Sequence, residues 1–179
     1  MCSRALASLS LLLVVLAAAG ARAEVFYTQK EALTLAFPDA DRLEKHTYVL
    51  SDAQHTEIEK LARSPLETRL VQIHTAWRGS ELLGYAHIDV HTVRTKSEGL
   101  IVVLDAAGRV RSVRVLAFYE PLEYLPTERW YERFAGRGPS DPLSLGRDVD
   151  AVSGATLTAR ATTEGVRRML AYHAALLAH

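Results

Sequence analysis

The chain has 179 residues, with 21 Lys+Arg against 21 Asp+Glu, one cysteine and 49% hydrophobic residues. That size suits one domain, or one domain plus a processing segment. The balanced charge gives no footprint for nucleic acid. A single cysteine outside any Cys-x-x-Cys-His pattern excludes a disulfide framework, a cysteine-rich zinc site, a cysteine-ligated iron–sulfur cluster and covalently attached haem on this chain. Electron chemistry here would need an organic cofactor or a metal on histidine and carboxylate ligands.

The N-terminus reads in three parts: a basic start to Arg4, an apolar run from Ala5 to Gly20 broken only by Ser8 and Ser10, and the small–x–small triplet Ala21-Arg22-Ala23. This is the layout of a secretory signal, too short and serine-broken for a comfortable membrane span. Cleavage after Ala23 is expected, with a retained membrane anchor as the alternative. Cleavage would remove Arg4, Arg22 and the only cysteine, Cys2, leaving a slightly acidic, cysteine-free chain. The expected location is the periplasm or the cell exterior.

Thr28-Gln29-Lys30-Glu31 is a capping box opening a short helix that stops before Pro38. Ser51-Asp52-Ala53-Gln54 opens a second helix with Ile58, Leu61 and Ala62 on one side, ended by Pro65. From Leu70 the hydrophobic period changes to two. Leu70–Trp77, Leu82–Val93, Gly99–Leu104 and Val110–Phe118 read as strands, with turns at Arg78-Gly79-Ser80 and Asp105-Ala106-Ala107-Gly108. Thr127–Ala135 reads as a helix with Trp130, Tyr131 and Phe134 on one stripe, and residues 136–146 as a loop. A last helix from about Thr158 to Leu177 turns Val166, Met169, Leu170, His173 and Leu177 inward. Strands and helices do not alternate, so the expected fold class is α+β: an antiparallel twisted sheet with two N-terminal helices and a long C-terminal helix. The expected organisation is a signal over residues 1–23, a helical segment over 24–69 and a main domain over 70–179.

Asp150-Ala151-Val152-Ser153-Gly154-Ala155-Thr156-Leu157-Thr158 places small residues and hydroxyls at the start of the last helix. A helix N-terminus has free N–H groups and partial positive charge, so an anion or phosphate fits there, with Gly154 and Ala155 leaving room and Ser153 and Thr158 adding hydroxyls. A plain N-cap explains the same residues. A Ser or Thr nucleophile would need an elbow motif that Ser153 lacks. Local chemistry stops at that point.

The pattern Asp150-x-x-Ser153-Gly154-Ala155-Thr156 resembles the flavinylation motif of FMN-binding domains. Those domains include the periplasmic C subunit of sodium-translocating NADH:quinone reductase and the G subunit of the related Rnf complex. Gly84-Tyr85, Asp89-x-His91-x-x-Arg94-Thr95, Glu120-Pro121 and Arg147-Asp148 extend the resemblance over residues 70–179. It implies FMN as cofactor, esterified through its phosphate to the Thr156 hydroxyl by a separate magnesium-dependent flavin transferase that draws on FAD. Asp150, Ser153, Gly154 and Ala155 would be read by the transferase. The isoalloxazine ring then needs an apolar, partly polar cleft, for which Tyr119, Glu120, Pro121, Tyr124 and Trp130 are candidates; plain core packing explains Tyr124, Trp130 and Phe134 equally. The chain departs from the Glu-Thr-Pro-Gly stretch of the membrane-complex subunits, reading Glu120-Pro121-Leu122-Glu123-Tyr124.

His87, Asp89 and His91 share one strand face, as a metal trio or as the polar side of a half-buried strand. Under the resemblance, Asp89, His91 and Arg94 would neighbour the flavin, and Arg94 or Arg147 would pair with its phosphate. His55 is expected at the surface and His173 in packing. The leading expectation is an exported electron-transfer flavoprotein served by membrane or periplasmic redox partners. A colourless binding or assembly module with a degenerate site, and a flavin-dependent reductase using His91 or Glu120 as proton donor, are the alternatives.

Overall fold

The computed structural model describes residues 24–178; the expected signal segment lies outside the described residues. The elements run β1 (Glu24–Val25), α1 (Gln29–Ala36), β2 (Arg42–Val49), α2 (Asp52–Ala62), β3 (Leu70–Arg78), β4 (Glu81–Thr92), β5 (Ser97–Asp105), β6 (Val110–Phe118), α3 (Glu128–Tyr131) and α4 (Thr156–Tyr172). One antiparallel six-stranded sheet has the order β1-β6-β5-β4-β3-β2. The fold is therefore α+β with a long C-terminal helix, as the sequence predicts.

Both expected capping boxes form. Glu31 N–H donates to Thr28 Oγ1 at 3.2 Å while Thr28 N–H donates to Glu31 Oε2 at 2.8 Å, and Ser51 and Gln54 make the same exchange. β5 divides its side chains between two cores in strict alternation, which is what burial on both faces demands of a central strand. Leu100, Val102 and Leu104 meet Ile58, Val166, Met169 and Phe134 beneath α2 and α4. Ile101 and Val103 join Ala32, Leu33 and Phe37 beneath α1. The sheet is thus the middle of three layers.

Three local expectations need correction. Leu61 is 47% exposed while Ile58 and Ala62 are buried, because α2 turns a narrower stripe to the sheet than its sequence suggests. The Thr127–Ala135 helix is one α-turn, α3, followed by a 3-10 turn over Glu132–Phe134. The last helix starts at Thr156 rather than Thr158, and its final turn, His173–Leu177, is π-helical. The two edge strands, β1 and β2, have no counterpart in the sequence reading. β2 lies on an open edge with most side chains exposed, so it carries no alternating apolar signal.

Two glycines are required by backbone approach. At Gly84 (φ +146°) a Cβ would stand 2.1 Å from the Leu104 carbonyl oxygen across the β4–β5 ladder. At Gly165, in α4, a Cβ would lie 2.7 Å from Asp89 Oδ2 of β4, so the missing side chain lets helix and sheet meet.

Candidate functional site

The chain reaches α4 through a tethered loop. The indole N–H of buried Trp130 donates to the Asp150 carbonyl at 2.8 Å, and the Asp150 carboxylate forms an ion pair with Arg133. The Asp148 carboxyl lies below its ordinary value: partial burial pushes it up, but backbone N–H donation, including that of Ser144 at 2.7 Å, outweighs this. Ala155 N–H donates to the Val152 carbonyl at 3.0 Å, closing a turn in which Gly154 takes φ +82°. Nothing lies within 4 Å of where a Gly154 Cβ would be. This is the left-handed conformation glycine adopts without penalty, and it leaves the backbone open to approach.

The helix that follows begins without a cap. Its N-cap residue is Ala155, no side chain bonds the first turn, and no acidic residue sits there. The contrast with the full capping boxes of α1 and α2 is informative. The longest helix among the described residues leaves the Thr156, Leu157 and Thr158 N–H groups and the positive end of its dipole for something else. Thr156 is exposed and its hydroxyl donates to the Val152 carbonyl at 3.0 Å.

A cavity of about 160 Å³ adjoins this helix end, lined by Val93, Arg94, Glu120, Tyr124, Gly154, Ala155, Thr156, Leu157 and Thr158. It unites four chain segments and most of the predicted site. The Arg94 guanidinium lies over the Tyr124 ring, 5.6 Å from its centroid. Glu120 Oε1 accepts from Thr95 N–H at 2.6 Å, Thr95 Oγ1 at 3.1 Å and Lys96 N–H at 2.8 Å. Those donors, led by Thr95 N–H, hold its carboxyl below the usual range, so Glu120 is an anionic clamp on the β4–β5 turn. Thr158 is fully buried and its hydroxyl donates to the Tyr124 carbonyl at 2.6 Å, pinning the Leu122–Tyr124 3-10 turn to α4. In its lining Leu157 remains 46% exposed. That leaves apolar surface beside a polar helix end.

Other predicted residues stand elsewhere. Asp150, Ser153 and Arg147 are exposed and do not line the cavity. Trp130 is core, edge-on to Tyr131 and Phe134. His55 is half-buried, 3.6 Å from Glu59, and buried His173 packs edge-on against Tyr85.

His91 belongs to a buried ionic cluster between sheet and α4. Its Nδ1 lies 2.7 Å from Asp89 Oδ2 and its Nε2 2.9 Å from Glu98 Oε2, while Arg168 donates to both Asp89 oxygens at 3.0 and 2.6 Å. Burial disfavours the imidazolium, but the flanking carboxylates outweigh it and raise His91 to about 9. Burial pushes Glu98 up, whereas for Asp89 the His91 and Arg168 bonds overcome burial and hold the carboxyl well below its ordinary range. His87 donates from Nδ1 to the Gln72 carbonyl at 2.8 Å. Among the described residues no group of three or more His, Cys, Asp or Glu is arranged to hold a metal ion. Sequence reasoning missed Glu98, Gly165 and Arg168; the available signal was the Ala161, Gly165, Arg168, Tyr172 stripe on α4.

No helix among the described residues is long and apolar enough to cross a membrane. Comparison with curated proteins gives no match. Residues 95–171, which hold β5, β6, α3 and most of α4, match the family model described as FMN-binding domain. The uncapped helix end, the exposed threonine and all of the cavity lining except Val93 and Arg94 lie within that span, and the match indicates FMN as the cofactor.

Proposed function

We propose that this protein is an exported flavoprotein that carries FMN through a phosphoester on Thr156 Oγ1 and works in electron transfer between membrane or periplasmic partners. The observation that carries the reading is the α4 N-terminus: an exposed hydroxyl on a long helix with no side-chain cap, after a glycine with open space above its backbone.

The residues present fit the group. A phosphate monoanion bridging to Thr156 would replace the absent cap, meeting the first-turn N–H groups and the helix dipole, with Arg94 adding charge in the same cavity. Tyr124, Val93 and the exposed Leu157 supply apolar surface for the ring system. Bound FMN supplies one- and two-electron transfer; the protein supplies the tether, the surroundings and the docking surface. Attachment would be made by a flavin transferase acting on FAD. The Thr156 Oγ–P bond forms, the pyrophosphate bond breaks, AMP leaves and the hydroxyl gives up its proton. The Val152 carbonyl then loses the donor it now has. A tethered cofactor keeps a high local concentration outside the cytoplasm, where free FMN would diffuse away.

The site residues favour a carrier over a substrate-reducing enzyme. Glu120 is held anionic by three donors, and both His91 ring nitrogens face carboxylates, so neither presents an available proton at the cavity.

Co-expression with a flavin transferase tests the reading. The full chain should gain one FMN-sized mass on the peptide containing Thr156 and fluoresce in a denaturing gel under ultraviolet light; Thr156→Ala should abolish both, and Thr156→Ser should keep them. A wild-type chain that stays bare while the transferase loads a positive-control substrate would end the proposal.

A further inference from the structure

The β3–β4 ladder stops half-way. Pairing runs from Arg78 opposite Glu81 to His74 opposite Ala86 and goes no further. Both strands nevertheless continue: residues 70–73 of β3 remain paired to β2, and residues 87–92 of β4 remain paired to β5. Each strand therefore turns a bare edge toward the other across a slot of about 400 Å³, floored by α4. His87 is the wedge. Its ring stands edge-on to Tyr172, 5.1 Å between centroids, and donates to the Gln72 carbonyl where a ladder bond would otherwise form.

An unpaired strand edge is a template for another strand, and proteins usually blunt one with lysine, proline or a covering element. Residues 87–92 contain neither lysine nor proline, and Val90 is 65% exposed. Six residues give an edge of about 20 Å. The slot is also acidic in what it leaves free. Glu67 and Glu164 line it, Glu164 with only a long 4.0 Å ion pair to Arg167, and its only guanidinium, that of Arg168, is spent on Asp89. The arginines of the bordering loop face elsewhere, Arg63 to the Pro142 carbonyl and Arg69 to Asp52 at 2.5 Å.

The geometry points to a docking slot for an extended, basic segment of a partner protein, which adds as a strand to the β4 edge and sets its cationic side chains against Glu67 and Glu164. Main-chain hydrogen bonds give the affinity and the glutamates select the charge. Leu70, 57% exposed, and Val90 give the segment's alternate side chains apolar surface. The slot does not depend on whether Thr156 carries a flavin, and its test is separate.

The probe is a fluorescein-labelled peptide of alternating lysine and valine, titrated with the full chain and followed by anisotropy. Saturable binding is expected, together with slowed amide exchange over residues 87–92. Methylating alternate backbone nitrogens of the peptide should abolish binding, since its charge is kept while its strand donors are lost. Glu67→Lys with Glu164→Lys should weaken it by roughly tenfold, as two exposed attractions become repulsions; circular dichroism checks that this variant folds. Equal binding of the methylated peptide, equal binding of an alternating glutamate–valine peptide, or no saturable binding overturns the proposal. So does a concentration-dependent dimer that protects residues 87–92 and excludes the peptide, which would make the occupant a second copy of this chain.

Discussion

Gly165→Ala sets two known effects against each other, and the structure decides the sign. In an exposed helix interior, alanine in place of glycine stabilises by about 1 kcal/mol through backbone entropy. In α4 the added methyl would sit 2.7 Å from Asp89 Oδ2 and 3.3 Å from its Cγ. The carboxylate cannot swing aside freely, because Arg168 grips both oxygens and His91 binds Oδ2 at 2.7 Å. Removing one partner of a buried ion pair costs about 3–5 kcal/mol, and partial displacement takes a fraction of that. The expected balance is a net loss of about 1–2 kcal/mol, or a fall in melting temperature of roughly 2–8 °C for a chain of this size. Differential scanning calorimetry measures it. The internal control is the same substitution in an Asp89→Ala background, where the obstacle is gone and only the helix preference remains, so the effect should change sign. A Gly165→Ala protein more stable than wild type, or a loss that persists without the carboxylate, would show that helix and sheet do not meet at this point.

Stability should also follow the His91 charge. Its ordinary value of 6.5 rises to about 9 in the folded chain, so its contribution is complete below pH 6.5 and disappears as pH climbs through about 9. Asp89, Glu98 and Arg168 are the charged groups facing it. Urea midpoints should fall over that window, and His91→Gln should flatten the slope; an equally steep decline in the variant would assign it to other groups. Glu120→Ala removes the acceptor shared by Thr95 and Lys96, so hydrogen exchange at those amides should quicken by roughly an order of magnitude while β5 and β6 stay protected. Unchanged exchange would mean that the turn holds itself.

What the sequence made legible follows from where the physics is local. Capping boxes act within four residues, and both were readable at Thr28 and Ser51. β5 was readable as a strand from its run of branched apolar residues, which burial on both faces demands, and the small residues before α4 announced an open helix end. β2 was silent because an edge strand buries little: Leu43 is 42% and Val49 74% exposed. The ionic cluster was silent for another reason. Asp89 and Arg168 lie 79 positions apart, and only the packing of α4 on β4 brings them together. Glu120 was visible as a site residue, but its role as a clamp depends on Thr95, 25 positions upstream.

The reach of the FMN-binding match, residues 95–171, falls short of the body that supports it. That interval supplies only β5 and β6 of a six-membered sheet, and the neighbour that zips to β5 along nearly its whole length, β4, is encoded upstream. One apolar side of β5, Ile101 and Val103, would lose the cover of α1, and the other would keep α4 but lose Ile58 and Ala62 of α2. A gene fragment trimmed to the matched interval should therefore yield insoluble polypeptide, and anyone grafting this cofactor module elsewhere must carry along everything from Glu24 onward.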